Sequence, residues 1–266
     1  MTTTRTVDVQ RDLSIRVSET GSGTAALVLH GGGGPVTVKP IARHLAETHR
    51  AITPTHPGWN GSARPAWLTR IEDLAAAYVS LLGELDLADV LVVGSSLGGW
   101  IAVEMALGDG RERIGRLVLI DSVGVDVPGR PIRDFFALDA RGVADYSFHD
   151  GDRFYVDPTT LPTEQLAARQ ANVATMRVLA GDPYMHDPSL LGRLGEVSIP
   201  TLVLWGESDR IVTPDYGRAL AAAIPNSRFE IVREAGHLPQ IEQAKATFRA
   251  IDGFLGVHSG GAAGRS

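Results

Sequence analysis

Four short stretches carry residue types that do chemistry once a fold brings them together. In "GSSLGG", Ser96 has glycine two positions before and two after it, reading Gly94, Ser95, Ser96, Leu97, Gly98. A serine held on a turn that sharp brings its i−2 and i+2 neighbours so close that side chains there would clash, so G-x-S-x-G marks Ser96 as a candidate nucleophile. Ser95 has Val93 and Leu97 at the same offsets and does not qualify. The bland reading of the stretch is a glycine-rich helix entry that lets a helix pack closely.

A serine hydroxyl attacks poorly until a base takes its proton. Of the eight histidines, His237 in "AGH" follows the last strand-like run, where glycine permits a turn that aims an imidazole at the strand ends. His30 belongs to the loop "HGGGG", His44 and His49 lie in or beside a helix, and His258 lies near the C-terminus. His56, His149 and His186 fall in loops and are expected to be solvent-exposed. The base in turn needs a carboxylate to fix its tautomer. Asp209 in "WGESDRIVTP" is favoured, with Asp121 at the end of "LVLID" as the rival, and Glu207 and Asp215 read as surface charges.

Negative charge that develops on a substrate oxygen must also be held, and each well-placed donor contributes on the order of 10²- to 10³-fold. The glycines after His30 can present backbone N–H groups without Cβ obstruction, and the amide after the nucleophile opens a helix whose dipole favours an anion. Gly32 and Leu97 are the expected donors. No lysine follows the glycines in a phosphate-loop arrangement and no G-x-G-x-x-G follows a strand, so nucleotide binding is not expected.

These residues all sit where strand-like runs end. Ala26 to Leu29, Arg50 to Thr53, Val90 to Val93, Leu117 to Ile120, Thr201 to Leu204 and Phe229 to Val232 are apolar without alternation, the pattern of strands covered on both faces. "TVDVQ" and "LSIRVSET" alternate and predict an antiparallel pair at the sheet edge. "VKPIARHLAE", "RIEDLAAAYVSLLGELD", "GGWIAVEMALGD" and "PDYGRALAAAIP" have helical spacing, so β and α segments alternate and predict a three-layer α/β sandwich. From Asp126 to Val197 the strand signal stops. "PIRDFFALDARGVADY", "TEQLAARQANVATMRVLAG" and "DPSLLGRLGEV" predict helices there, forming a cap. The expected division is core 1–125 and 198–256, cap 126–197 and a flexible tail 257–266. Phe135 and Phe136 in the cap, with Trp59 in the loop after the second parallel strand, are candidates to line a partly apolar substrate site.

The chain has 266 residues, no cysteine and a net charge of −6. Zero cysteine excludes disulfides and thiolate chemistry, the lack of a basic block argues against nucleic acid, and no apolar run reaches the roughly 20 residues of a membrane helix. The N-terminus lacks the pattern of a signal peptide. A cytoplasmic enzyme acting on a small molecule, with no metal, is the expectation.

In this order and at these strand exits, "HGGGGP", "GSSLGGW", "WGESDRIVTP" and "AGHLPQIE" resemble the α/β-hydrolase superfamily over about residues 10 to 255. The resemblance implies an eight-stranded, mostly parallel sheet, a helical cap inserted after the sixth strand, a Ser96–His237–Asp209 triad and no cofactor. Serine as the nucleophile is unlike haloalkane dehalogenases and epoxide hydrolases, which use aspartate. The glycine loop and the cap look like carbon–carbon bond hydrolases of meta-cleavage products. Those enzymes carry asparagine before the nucleophile and tryptophan after the histidine, where this chain has Ser95 and Leu238. The expected substrate bond is therefore of ester type (carboxylic ester, lactone or thioester), with carbon–carbon cleavage, or a non-catalytic ligand-binding role, as alternatives.

Overall fold

The computed structural model describes residues 2–10, 12–109 and 112–257. Among the described residues ten strands form: β1 (Thr3–Gln10), β2 (Leu13–Thr20), β3 (Ala25–Leu29), β4 (Arg50–Pro54), β5 (Val90–Ser95), β6 (Ile114–Ile120), β7 (Gly124–Val125), β8 (His186–Asp187), β9 (Thr201–Gly206) and β10 (Ser227–Val232). Eight of them make one sheet in the order β1-β2-β4-β3-β5-β6-β9-β10. From β4 to β10 every neighbour is parallel, while β1 and β2 pair antiparallel and β2 joins β4 antiparallel.

The helices are α1 (Lys39–Leu45), α2 (Ile71–Glu84), α3 (Leu97–Gly108), α4 (Ala140–Ser147), α5 (Gly151–Phe154), α6 (Thr163–Ala180), α7 (Leu190–Arg193), α8 (Pro214–Ala223), α9 (Pro239–Glu242) and α10 (Ala244–Leu255). Successive side chains of a strand point to opposite faces, and here both faces are apolar. Leu27, Leu29, Val92, Leu117 and Trp205 pack with Leu74, Leu81, Ile101 and Leu220 of α2, α3 and α8. Ala26, Val28, Val93, Val118 and Leu204 pack with Ile41 and Leu45 of α1 and Ile251 of α10. The result is three layers, and burial on both faces is why these strands read as unbroken apolar runs.

After the sixth sheet strand the chain leaves the sheet and returns at β9. That segment holds α4 to α7 and two short strands, β7 and β8, which pair with each other outside the main sheet. "PIRDFFALDARGVADY" does not form one helix as its spacing predicts. Asp134 accepts from Phe136 N to start a 3₁₀ turn over Phe135–Ala137, and Asp139 accepts from Gly142 N to cap α4, so two capping carboxylates divide the segment. Residues 258–266, nearly all of the expected tail, lie outside the described residues, as does His258.

Candidate active site

Ser96 stands between β5 and α3 at φ 56° and ψ −118°. Its N–H donates to Ile120 O of the next strand at 2.9 Å, and its carbonyl accepts from Gly99 N at 2.9 Å. A Cβ on Gly94 would fall on the Gly98 carbonyl oxygen, and one on Gly98 would fall on the Leu29 carbonyl oxygen. Those two glycines let β5, the turn and α3 cross at backbone contact, which is the requirement read from the sequence. Ser96 is half-buried.

His237 Nε2 lies 2.9 Å from Ser96 Oγ, and its Nδ1 lies 2.8 Å from Asp209 Oδ2. A carboxylate only accepts, so Nδ1 carries the proton and Nε2 is left to accept from the serine hydroxyl. The histidine loop is held from two sides: His237 N donates to Ser147 O of α4 at 2.7 Å, and Gly236 N donates to Glu242 Oε2 of α9 at 2.6 Å. Asp209 is fixed by its own turn, with Oδ1 accepting from Ile211 N at 2.8 Å and Val212 N at 3.1 Å. That leaves Oδ2 for the imidazole. The relative exposures of Asp209 and His237 are 2% and 8%, so this relay is shielded from water while Ser96 remains reachable. Asp121 is fully buried in the same cluster, with Oδ1 accepting from Gly206 N at 2.9 Å.

The glycine loop after β3 meets the nucleophile directly: a Cβ on Gly31 would stand 2.9 Å from Ser96 Cβ. The amide of Leu97 opens α3, where first-turn N–H groups have no acceptor within the helix. The carbonyl of Gly32 accepts from Trp59 Nε1 at 3.0 Å. Trp59 has no solvent exposure and stands edge-on to the rings of His30 and His56. The structure thus places Trp59 beneath the glycine loop as its anchor and not on the wall of an open cleft, because the indole N–H finds its partner in the loop backbone.

His56 also departs from expectation: it is fully buried. Its Nε2 donates to His30 O at 2.7 Å, its Nδ1 accepts from Tyr78 OH, and its backbone N–H donates to His30 Nε2 at 3.1 Å. His30 Nδ1 donates to Gly31 O at 2.7 Å. Because His30 Nε2 accepts from a backbone N–H while its Nδ1 donates, the His30 imidazole is neutral. Burial holds the pKa of His56 down at about 4 and that of His30 well below the usual histidine value, the latter also through the neighbouring His56.

Phe135 and Phe136 are half-buried within the segment between β7 and β9. Phe135 N donates to Tyr184 OH at 2.7 Å, and the Phe136 ring lies between Tyr184, at 5.5 Å, and the Arg177 guanidinium, at 4.1 Å. These contacts bind the segment to itself and do not join either ring to Ser96 or His237.

The sequence reading placed α6 as a helix but missed its role at the site. Asn172 Oδ1 accepts from Asn60 N at 2.9 Å, Thr175 Oγ1 donates to Gly58 O at 3.2 Å, and a Cβ on Gly32 would lie 2.5 Å from Met176 Sδ. Asn172, Thr175 and Met176 have i, i+3, i+4 spacing, which was the available signal that one face of this helix lies on the glycine loop. Gln240 was missed as well. Fully buried after His237, its Nε2 donates to Thr37 O at 3.2 Å and to Ser95 Oγ at 3.3 Å, tying together the loops that carry His237, Gly32 and Ser96.

Among known proteins, the alpha/beta hydrolase family matches over residues 26–250. The 2-hydroxy-6-oxononadienedioate/2-hydroxy-6-oxononatrienedioate hydrolase of Cupriavidus pinatubonensis is 32% identical, covering 94% of this chain and 93% of its own. The crystal structure of a meta-cleavage product hydrolase, CumD, in a mutant form, superposes with a TM-score of 0.78 at 19% identity, over 96% of this chain and 98% of the other. A thermophilic esterase from Thermogutta terrifontis superposes with a TM-score of 0.72 at 25% identity, over 97% of this chain and 100% of the other.

Proposed function

The chain belongs to the alpha/beta hydrolase family, and on that premise we propose that it is a serine hydrolase that cleaves a carbon–carbon bond in a 2-hydroxy-6-oxo-dienoate, with Ser96, His237 and Asp209 as its catalytic triad. The observation that carries the serine chemistry is the continuous Ser96–His237–Asp209 relay, at 2.9 and 2.8 Å. The bond type is supported by the 32% identical relative, whose substrates carry that functional group by name. This reading replaces the ester-type bond expected from Ser95 and Leu238.

A ketone does not ordinarily lose a carbon group, so the electron pair needs a destination. Ketonisation of the 2-hydroxy-dienoate gives a vinylogous diketone in which the pair released at C5 delocalises onto the C2 oxygen. Ser96 Oγ then attacks the C6 carbonyl as His237 Nε2 takes its proton, and the C6 oxyanion is held by the N–H groups of Gly32 and Leu97. Collapse breaks the C5–C6 bond, His237 returns the proton to C5, and an acyl group remains on Ser96. Water, deprotonated by His237, releases the carboxylic acid. Asp209 keeps Nδ1–H in place and balances the imidazolium.

Ester hydrolysis is the second reading. Ser95 and Leu238 stand where the meta-cleavage resemblance expects asparagine and tryptophan, and the esterase neighbour shares the fold at 25% identity. Purified protein assayed against a 2-hydroxy-6-oxo-dienoate, followed by loss of its dienolate absorbance, and against short p-nitrophenyl esters separates the two. Carbon–carbon cleavage predicts kcat/KM at least 10-fold higher for the dienoate, and the reverse ratio moves the assignment to an esterase. Ser96→Ala should remove either activity by about 10⁶-fold.

A further inference from the structure

Behind His237 lie two buried carboxyl groups, and the triad uses one. Asp121 follows β6 with a left-handed backbone, φ 45°, and no solvent exposure. A carboxyl oxygen of Asp121, one of Asp209 and a ring nitrogen of His237 all lie within 4.8 Å of one another. Asp121 Oδ1 accepts from Gly206 N, whereas Oδ2 is buried and, among the described residues, no N–H or hydroxyl reaches it. An ionised carboxylate with one oxygen unserved beside another carboxylate is costly, because like charges at this range in a dry site repel strongly. The arrangement is consistent if Asp121 keeps its proton on Oδ2 and faces Asp209 as a neutral acid.

We infer that Asp121 is a second positioning acid behind His237, neutral while Asp209 carries the charge and able to carry it when Asp209 cannot. The inference rests on the triad reading of Ser96, His237 and Asp209 but not on which bond the enzyme cleaves. Burial is the main cause that pushes the Asp121 carboxyl well above the usual carboxylate range, and the charge of Asp209 adds to it. Besides Asp209 and His237, the charged group that faces it is Glu242 of α9, which also raises it. Removing the Asp209 charge deletes one of these causes. Asp121 then ionises more readily within reach of the same imidazole, so the relay loses its geometry but retains a counter-charge.

The test uses a fluorophosphonate, which needs no knowledge of the substrate: Ser96 Oγ bonds to phosphorus, fluoride leaves, and His237 takes the serine proton. Labelling rates followed by intact mass are compared for wild type, Ser96→Ala, Asp209→Asn, Asp121→Asn and the double variant. Asp209→Asn should retain about 10⁻² of the wild-type rate, and Asp121→Asn should cost at least 10-fold more in the Asp209→Asn background than in wild type. Equal cost in both backgrounds overturns the inference and leaves the triad intact. A wild type that resists labelling, or an Asp209→Asn variant with the wild-type rate, overturns the triad reading and the inference with it. If the double variant does not fold, infrared spectra of the wild type and of Asp121→Asn decide. A protonated-carboxyl C=O band at neutral pH that Asp121→Asn lacks supports the inference, and no such band in the wild type overturns it.

Discussion

His30 and His56 are fully buried side by side near the glycine loop, His30 held neutral by its hydrogen bonds and His56 by burial. The sign of the pH effect follows. Above pH 6.5 neither the folded nor the unfolded chain protonates His56, so it contributes no pH dependence. Between 6.5 and its folded value of about 4 the unfolded chain takes a proton that the folded chain refuses, and stability falls as pH falls. His56 alone should remove about 2 kcal/mol between pH 7.5 and pH 5, and about 3 kcal/mol at its limit. Urea midpoints at the two pH values check this, and His56→Asn should flatten the dependence even though it lowers stability at pH 7.5. His56 was illegible as a buried group because its burial comes from Tyr78 and Trp59, residues of other segments. Ser96 was legible because its demand on Gly94 and Gly98 is local, and His237 and Asp209 because each follows directly on a readable strand.

At the scale of elements, the loops that build the site are held by side chains from elsewhere. Trp59 fastens the Gly32 carbonyl, so Trp59→Phe keeps an aromatic side chain but removes the indole N–H bond from the loop proposed to supply an oxyanion donor. We expect kcat to fall about 10-fold with KM within about 2-fold, since a loosened donor acts mainly on the transition state; a change confined to KM would contradict it. The segment between β7 and β9 is fastened to α3 by Arg193. Its guanidinium pairs with Glu104, whose side chain is 4% exposed, and with Asp187. Arg193→Ala strands a buried carboxylate, and because Arg193 is itself about one-third exposed the cost should be about 2 kcal/mol, below the usual value for a fully buried pair. Arg193→Ala combined with Glu104→Gln should recover part of that loss in a urea titration. Neither partner was legible, since α7 is one turn long and the two residues lie far apart in the chain. The long helix α6 was legible, and its role over the glycine loop was not, because periodicity gives a face without naming what it meets.

For the whole molecule, the sheet was predictable from its continuous apolar strands, and the order of its strand exits carried the family. The two-residue strands β7 and β8 are too short for any periodic signal, so Asp126 to Val197, which includes β8, was read as helical throughout. We propose that residues 126–197 act as one cap on a core formed by 1–125 and 198–256. The bonds from α4 to His237 and from α6 to Gly58 and Asn60 support that division. Among the described residues no helix is long and apolar enough to cross a membrane.

The backbone torsion of Ser96 has a consequence for how stable the protein can be. A residue with a Cβ held at φ 56° stores roughly 1–3 kcal/mol that the rest of the fold must offset. Ser96→Ala abolishes the nucleophile and keeps that load, whereas Ser96→Gly abolishes it and releases the load, less about 0.5–1 kcal/mol for the freer unfolded chain. The glycine variant should therefore melt about 2–4 °C above the alanine variant. Two equally inert proteins would then differ in heat tolerance, and the difference would measure what the fold forgoes to keep its serine at the ready.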